Sequence, residues 1–184
     1  HYYTQSAELY EAQGFAVGRG ISLIGLGAMH HAAKNYTEAH TALHKALMLL
    51  KNQPDYLRFY SDAVSNMADL YTEQGRYYEA LLYNELAYEL HIQTKRPKIH
   101  FAYLHKAIYY NYKALGKHKQ ALEHHEIFQQ LSAEHAQEVE TEHVRQLMIQ
   151  FDTERALKDK EIYQLRNVAL EREITERKAA EAAL

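Results

Sequence analysis

Histidine is the residue type in this sequence that most suggests chemistry, because the chain has thirteen histidines and no cysteine. His40 and His44 form the best pair, since their i, i+4 spacing places both imidazoles on one face of a helix, as zinc ligands require. No third ligand at a recognisable spacing accompanies them. We therefore expect packing or surface histidines and no metal. A zinc protein, the alternative, would lose stoichiometric metal in a His40→Ala, His44→Ala double variant.

Glycine is the second residue type that suggests a site, because five of the seven glycines lie between Gly14 and Gly27. A glycine-rich loop can cradle phosphate, but neither GxGxxG nor GxxxxGK[ST] is completed and no strand precedes the run. Turns and close helix packing explain these glycines better. No carboxylate pair or serine nucleophile stands in a recognisable catalytic setting. The sequence predicts a fragment that is not an enzyme and carries no cofactor.

Composition narrows the class of protein. The 184 residues are 47% hydrophobic and 24% charged, which is typical of an ordered protein. A formal net charge of -3 leaves no basic stripe for nucleic acid, and the longest apolar stretch, near residues 20–29, is too short for a membrane helix. We expect a cytoplasmic location, with no nucleic-acid or membrane partner for this fragment. A start at His1 without a leader favours an excised piece of a longer protein.

Similar residue types recur every 41 residues in the first two thirds of the chain. Four registers share it: Ala39, Ala80 and Ala121; Tyr36, Tyr77 and His118; His30, Tyr71 and Tyr112; Ala46, Ala87 and Phe128. Repetition at this scale predicts stacked units, each of which buries its apolar face against its neighbours. Such a solenoid offers an extended surface, which favours binding over catalysis.

Glycine and proline mark the ends of the predicted helices. Gly75 and Gly116 are expected to close helices before tight turns within repeats, and Pro54 and Pro97 to mark turns between repeats. A period of 3.6 predicts helices near 2–13, 20–33, 36–52, 55–74, 77–93 and 98–115, and no segment alternates as a strand would. From Lys117 to Leu184, strong helix formers predict helix, with one break near Ser132.

The repeat units resemble the tetratricopeptide repeat. The matching residues are Leu26, Gly27, His30, Tyr36, Ala39, Leu43 and Ala46 in one unit, Met67, Ala68, Tyr71, Gly75, Tyr77, Ala80 and Ala87 in the next, and Ile108, Tyr112, Gly116, His118, Ala121 and Phe128 in the third. Asn84 and His125 stand where the first unit has Leu43. The family's usual period is 34 residues, so the seven extra residues are expected in longer helices around 49–58 and 90–101.

This resemblance implies an all-α, tetratricopeptide-like superhelix. We expect about three full repeats and a partial N-terminal one over residues 1–131, and then a cap and a long helix or coiled coil over 132–184. HEAT and armadillo repeats have a comparable period, but they do not predict a glycine turn with an alanine five residues later, as at Gly75 and Ala80.

The first helices of such repeats line the concave groove, and their predicted stripes differ in character. The groove residues are His31 from an otherwise apolar strip, then Asp62, Ser65, Asn66, Asp69 and Glu73, then Tyr103, Lys106, Tyr110 and Lys113. Aromatic and charged side chains together favour a peptide or protein ligand. An ordinary solvated face is the alternative. Tyr110 stands where chaperone-binding relatives have asparagine, so we do not expect chaperone tails as ligands.

The C-terminal segment LEREITERKAAEAAL, residues 170–184, resembles the connecting helix that precedes output domains in bacterial signalling proteins. Such output domains include GGDEF diguanylate cyclases and histidine kinases. Apolar residues in this helix, which include Phe151, Ile162, Leu165, Ala169, Ile174 and Leu184, form seams that do not share one heptad phase. We expect a parallel homodimer that relays a state to the output domain; a solvated single helix is the alternative.

The function expected from these observations is a non-catalytic regulatory module that senses a protein or peptide. The preferred output domain is a diguanylate cyclase, and a histidine kinase is the second choice. A passive adaptor, in which the tail is only a spacer, is the competing interpretation.

Overall fold

A computed structural model of the chain describes residues 2–182. The described residues form seven α-helices and no strand: α1 (Tyr2–Ala12), α2 (Ala16–Ala32), α3 (Tyr36–Leu50), α4 (Leu57–Glu73), α5 (Tyr77–Gln93), α6 (Lys98–Ala114) and α7 (His118–Ala182). A single 3-10 turn, Pro54–Tyr56, precedes α4. The all-α prediction is therefore confirmed, and α2 begins four residues earlier than the sequence indicated.

Five helix ends share one type of turn. After each helix a residue adopts a positive φ, and the next residue's N–H bonds to the carbonyl five residues earlier, as in the bond from Arg76 to Tyr71 O at 2.9 Å. This geometry satisfies carbonyl groups that a helix end leaves without partners. The residues with positive φ are Gly14, Lys34, Gly75, Lys95 and Gly116. Gly75 and Gly116 thus close helices as predicted, whereas two lysines adopt the same conformation without any local signal.

Both prolines lie in turns between helices, as the sequence predicted. Pro54 opens the 3-10 turn between α3 and α4, and Pro97 immediately precedes α6. A proline fixes φ near the helical value and lacks an N–H that the first turn would leave unpaired. Both residues therefore end one helix and prepare the next.

Packing follows the 41-residue period. Consecutive helices from α1 to α6 pack against each other, and α2 contacts α4 while α4 contacts α6. The alanines that mark the period are buried: Ala39, Ala46, Ala80 and Ala87 are inaccessible to solvent and Ala121 is nearly so. Leu43, Met67 and Leu70 join Ala39 and Ala80 in one core cluster. A helical repeat arrangement in which neighbours bury each other's apolar faces agrees with these contacts.

The glycines of α2 allow close helix packing. A Cβ added at Gly27 would lie 2.6 Å from Cγ of Leu43, and one added at Gly20 would lie 2.9 Å from Cγ of Leu50. A side chain at either position would force Leu43 or Leu50 on α3 to move. These glycines are helical and buried, so they do not form a phosphate-binding loop.

Helix α7 is unbroken through Ser132, so the expected break there is wrong. No glycine or proline interrupts this stretch, and its residues are good helix formers.

Contacts divide the chain into two units, with the boundary between His135 and Ala136. In the second unit all described side chains are exposed within one chain. None of the helices among residues 2–182 is both long enough and apolar enough to cross a membrane.

Candidate functional site

Two adjacent cavities open between α4 and α6. The first has a volume of about 250 Å³ and is lined by Asp62, Ser65, Asn66, Asp69, Asn84, His91, His100, Tyr103, Leu104 and Ala107. The second has a volume of about 380 Å³ and is lined by His31, Asp69, Thr72, Glu73, Tyr103, Lys106, Ala107 and Tyr110. Asp69, Tyr103 and Ala107 belong to both. The two cavities therefore form one continuous groove.

The groove contains nine of the ten residues that the sequence placed on a concave face. The tenth, Lys113, lines neither cavity. Its ammonium group donates a hydrogen bond to the Tyr109 hydroxyl at 3.3 Å and lies over the Tyr109 ring. Residues of the α4 and α6 strips thus line the same groove, while Lys113 contacts a residue of its own helix.

Three buried polar atoms at the first cavity have no hydrogen-bond partner. They are Nδ2 of Asn84, Nδ1 of His91 and Oγ of Ser65. Asn84 is 2% exposed and His91 5% exposed, and both come from α5, which forms the floor of the cavity. Buried polar groups are nearly always hydrogen-bonded in folded proteins. Polar side chains thus form the floor of the first cavity, and their unpaired atoms are closed off from solvent.

The α5 floor was not predicted, because the sequence pattern assigns the groove to first helices only. One signal was available: Asn84 replaces the leucine of the first repeat, Leu43, which is fully buried. A polar residue at a repeat position that is a buried leucine in the first unit indicates a special environment. His91 gave no comparable signal.

Arg96 forms an ion pair with Asp62, a carboxylate that lines the first cavity. Its buried guanidinium pairs with the Asp62 carboxylate and donates to the carbonyl of Arg58 at 2.9 Å. Burial, then the charge of Arg96, lowers the pKa of His91 to about 4, and the same two causes lower the pKa of His100. Both imidazoles are therefore uncharged near pH 7.

Carboxylates and a histidine surround the second cavity. His31 Nε2 lies 3.1 Å from Glu73 Oε2, and the Tyr36 hydroxyl donates to the same oxygen at 3.4 Å. Asp69 lines the groove, whose walls enclose its carboxyl group. This burial raises the pKa of that group. On the facing helix the Lys106 ammonium lies 5.7 Å from the centre of the Phe128 ring. The second cavity therefore has an acidic wall on α4 and a basic, aromatic wall on α6.

His40 and His44 do lie on one helical face, with stacked rings 6.0 Å apart. His40 Nε2 is 3.2 Å from the Tyr71 hydroxyl. Among residues 2–182 no three His, Asp or Glu side chains come together in a way that would hold a metal ion. The pair thus packs beside Tyr71 at the repeat interface.

The predicted dimer residues lie on α7. Phe151, Ile162, Leu165 and Ile174 are each at least 45% exposed, and Ala169 is exposed as well. Leu184 lies outside the described residues. Exposed apolar side chains at these spacings are available for contact with another chain, which is what the dimer prediction requires.

No protein-family model matches the chain, and no curated protein is significantly similar to it. What can be said of function therefore rests on the repeat period, the packing and the groove.

Proposed function

We propose that α2 to α6 form a tetratricopeptide-type module that binds a peptide segment of a protein partner in the groove between α4 and α6. The observation that carries the proposal is the continuous groove itself, into which nine residues from three first helices project. Ordinary solvated helix faces would not be expected to enclose two adjoining cavities.

The assignment to tetratricopeptide-type repeats is supported by the turn and packing pattern. Gly75 precedes Ala80 by five residues and Gly116 precedes Ala121 by five, and in both cases the glycine has a positive φ and the alanine is buried. Contacts between alternate helices, α2 with α4 and α4 with α6, accompany the contacts between consecutive helices. Stacked helix pairs with this connectivity expose their first helices along one face.

The chemistry of the groove suits a peptide with a mixed sequence. Asp69 and Glu73 on α4 can accept hydrogen bonds from backbone or basic groups, while Lys106 on α6 offers a cation. Tyr103 and Tyr110 are exposed and provide large flat surfaces of the kind that dominate binding energies at interfaces. We therefore expect the aromatic and basic side chains of α6 to contribute most of the binding energy.

The long helix α7 is proposed to relay the bound state to an output domain as part of a parallel homodimer. Residues 136–182 would span about 70 Å at the usual helical rise, and their apolar side chains are exposed within one chain. A diguanylate cyclase in a cytoplasmic bacterial signalling protein is the preferred output. A histidine kinase is the second candidate, and a passive adaptor without an output domain is the third.

A peptide library displayed on phage and panned against the chain tests the groove. Enriched peptides should lose at least tenfold in affinity when Lys106→Ala and Tyr110→Ala are combined, because both side chains line the second cavity. Lys45→Ala with Tyr163→Ala is the matched control, since these residues are exposed outside the groove. Equal losses in the two double variants, or enriched peptides that bind the groove variant unchanged, would remove the groove from the proposal.

A further inference from the structure

Asp69 is the groove carboxylate that is open to a guest. It lines both cavities, its residue is exposed, and its side chain makes no hydrogen bond or ion pair within residues 2–182. The other two carboxylates of the groove are engaged: Asp62 forms an ion pair with Arg96, and Glu73 accepts a hydrogen bond from the Tyr36 hydroxyl. A ligand can therefore pair with Asp69 without breaking a contact of the fold.

The first cavity attracts a positive charge. Asp62, His91 and His100 line it together with Asp69. Arg96 neutralises Asp62, and the lowered pKa values of His91 and His100 leave both imidazoles uncharged near pH 7, so the ionised Asp69 carboxylate is uncompensated. Burial raises the pKa of the Asp69 carboxyl group, and a cation beside it would offset this cost of desolvation. An anion would be repelled.

The place beside Asp69 is not taken by a cation of the protein itself. No lysine or arginine among residues 2–182 lines the first cavity. Lys106 lines the second cavity, where its ammonium group lies 5.7 Å from the centre of the Phe128 ring. The buried guanidinium of Arg96 is held by Asp62 and by the carbonyl of Arg58. A positive charge at this point would have to come from the ligand.

Tyr103 adds an aromatic surface at the same point of the groove. It lines the same two cavities as Asp69 and is 60% exposed. Ala107, one turn further along α6, also lines both cavities and contributes only a methyl group to this wall. The face of a tyrosine ring attracts a cation electrostatically. A carboxylate and an accessible ring thus occur together where the two cavities join.

We infer that the junction of the two cavities, between Asp69 and Tyr103, binds the basic side chain of an arginine or lysine residue in the bound peptide. This inference rests on the proposed peptide groove and names one of its specificity determinants. The guanidinium or ammonium group would donate hydrogen bonds to the Asp69 carboxylate, while the side chain lies against the Tyr103 ring. An apolar guest would leave the carboxylate desolvated without a partner.

Asp69→Asn is the decisive variant because it removes the charge and keeps the shape of the side chain. The variant should fold, since the Asp69 side chain makes no hydrogen bond within residues 2–182 and its burial already disfavours the charged form. Asp159→Asn is the matched control, because it makes the same chemical change at an exposed position of α7 outside the groove. Urea unfolding should give both variants at least the stability of the wild type.

The displayed peptides test this inference separately from the peptide groove. Peptides enriched on the wild-type chain should carry arginine or lysine at one fixed position, and replacement of that residue by glutamine should weaken binding about tenfold or more. This peptide substitution tests the inference without any change in the chain. Enriched peptides that lack a fixed basic position would overturn the inference and leave the groove standing. Failure to enrich any peptide would overturn both.

A double-mutant cycle between peptide and chain assigns the basic residue to Asp69. Asp69→Asn should bind the enriched peptide about tenfold more weakly than the wild type, and the glutamine version should lose little further affinity, because the partner charge is already absent. Tyr103→Leu should weaken binding of the basic peptide about threefold. Asp159→Asn should bind both peptides as the wild type does. Additive losses from Asp69→Asn and the glutamine substitution, or an equal loss in Asp159→Asn, would overturn the inference.

Discussion

The Nδ1 atoms of His105 on α6 and His124 on α7 lie 2.8 Å apart. One of these nitrogens must accept the proton that the other donates, so at least one imidazole is uncharged. His105 also packs edge-on against Tyr88, and the ring of His124 lies 5.5 Å from that of Tyr112. Burial lowers the pKa of both histidines, and the neighbouring His124 lowers that of His105 further. Protonation of both rings would break this link between α6 and the first turns of α7.

Acidification should therefore destabilise the fold. The pKa values of five histidines are lowered in the native state: His40, His91, His100, His105 and His124. The unfolded chain then binds more protons than the folded one, so stability is complete above about pH 6.5 and is lost as the pH falls toward 4, the value for His91. The raised pKa of Asp69 opposes this trend, but it is one group against five histidines. Urea unfolding at pH 8 and pH 5 should give the lower free energy at pH 5.

A single substitution assigns part of this dependence to the histidine pair. His124→Phe removes one titrating group and keeps an aromatic ring beside Tyr112, so the difference in stability between pH 8 and pH 5 should shrink. His143→Phe is the control, because His143 is exposed on α7, and it should leave the difference unchanged. An equal pH dependence in wild type and His124→Phe would contradict the role of the pair.

Asn84→Leu should stabilise the fold. Leucine removes an unpaired buried amide and adds apolar burial, which together are worth about 1 to 3 kcal/mol in the free energy of unfolding. Asn66→Leu should give no gain, because the Asn66 amide is already hydrogen-bonded. Urea unfolding of both variants at pH 8 measures the difference. A less stable Asn84→Leu protein would mean that the amide has a structural partner.

Two turn residues offer a matched test of backbone strain. Lys95 has φ of 50° and Gly116 has φ of 70° in turns of the same type. Lys95→Gly should raise the free energy of unfolding by up to about 1 kcal/mol, and Gly116→Ala should lower it by about 1 kcal/mol, because only glycine adopts this conformation freely. A Cβ at position 116 would meet no atom within 4 Å. A loss of stability in Gly116→Ala would therefore come from the backbone conformation alone. Changes of the same sign in both variants would contradict this explanation.

The sequence predicted most helix boundaries because their signals are local. Gly75, Gly116, Pro54 and Pro97 act within a few residues of where they stand, and a period of 3.6 is visible in any helical segment. The positive φ of Lys95 escaped prediction because the demands of the turn overrode residue preference. The break expected at Ser132 was wrong because serine alone does not end a helix whose neighbours are all good helix formers.

The walls of the groove could be predicted and its floor could not. Asp69 and Tyr103 follow from the rule that first helices face the concave side. Asn84 and His91 come from a second helix, and they reach the groove only because α4 and α6 leave a gap above α5. Such a gap depends on how three helices pack, which periodicity along one helix does not encode.

The proposed parallel dimer can be tested with a single cysteine, because the chain has none of its own. Ile162, Leu165 and Ala169 form one apolar seam, and a parallel in-register dimer would place each Ala169 opposite its counterpart. Ala169→Cys should then form an intermolecular disulfide under mild oxidation, since such a bond requires Cα atoms within about 7 Å. Light scattering of the reduced protein should give twice the monomer mass.

Asn167→Cys is the control for this cross-link. Two residues along a helix correspond to a rotation of about 200°, so position 167 lies on the side opposite the seam and should not cross-link. Leu165→Glu should shift the light-scattering mass toward the monomer, because a carboxylate in an apolar seam is costly to bury, whereas Lys160→Glu, on the opposite side of the helix, should have little effect. Cross-linking that is equal at positions 167 and 169 would indicate random collision. A strict monomer at high concentration would remove the dimer, and the relay through α7 would then lose its physical basis.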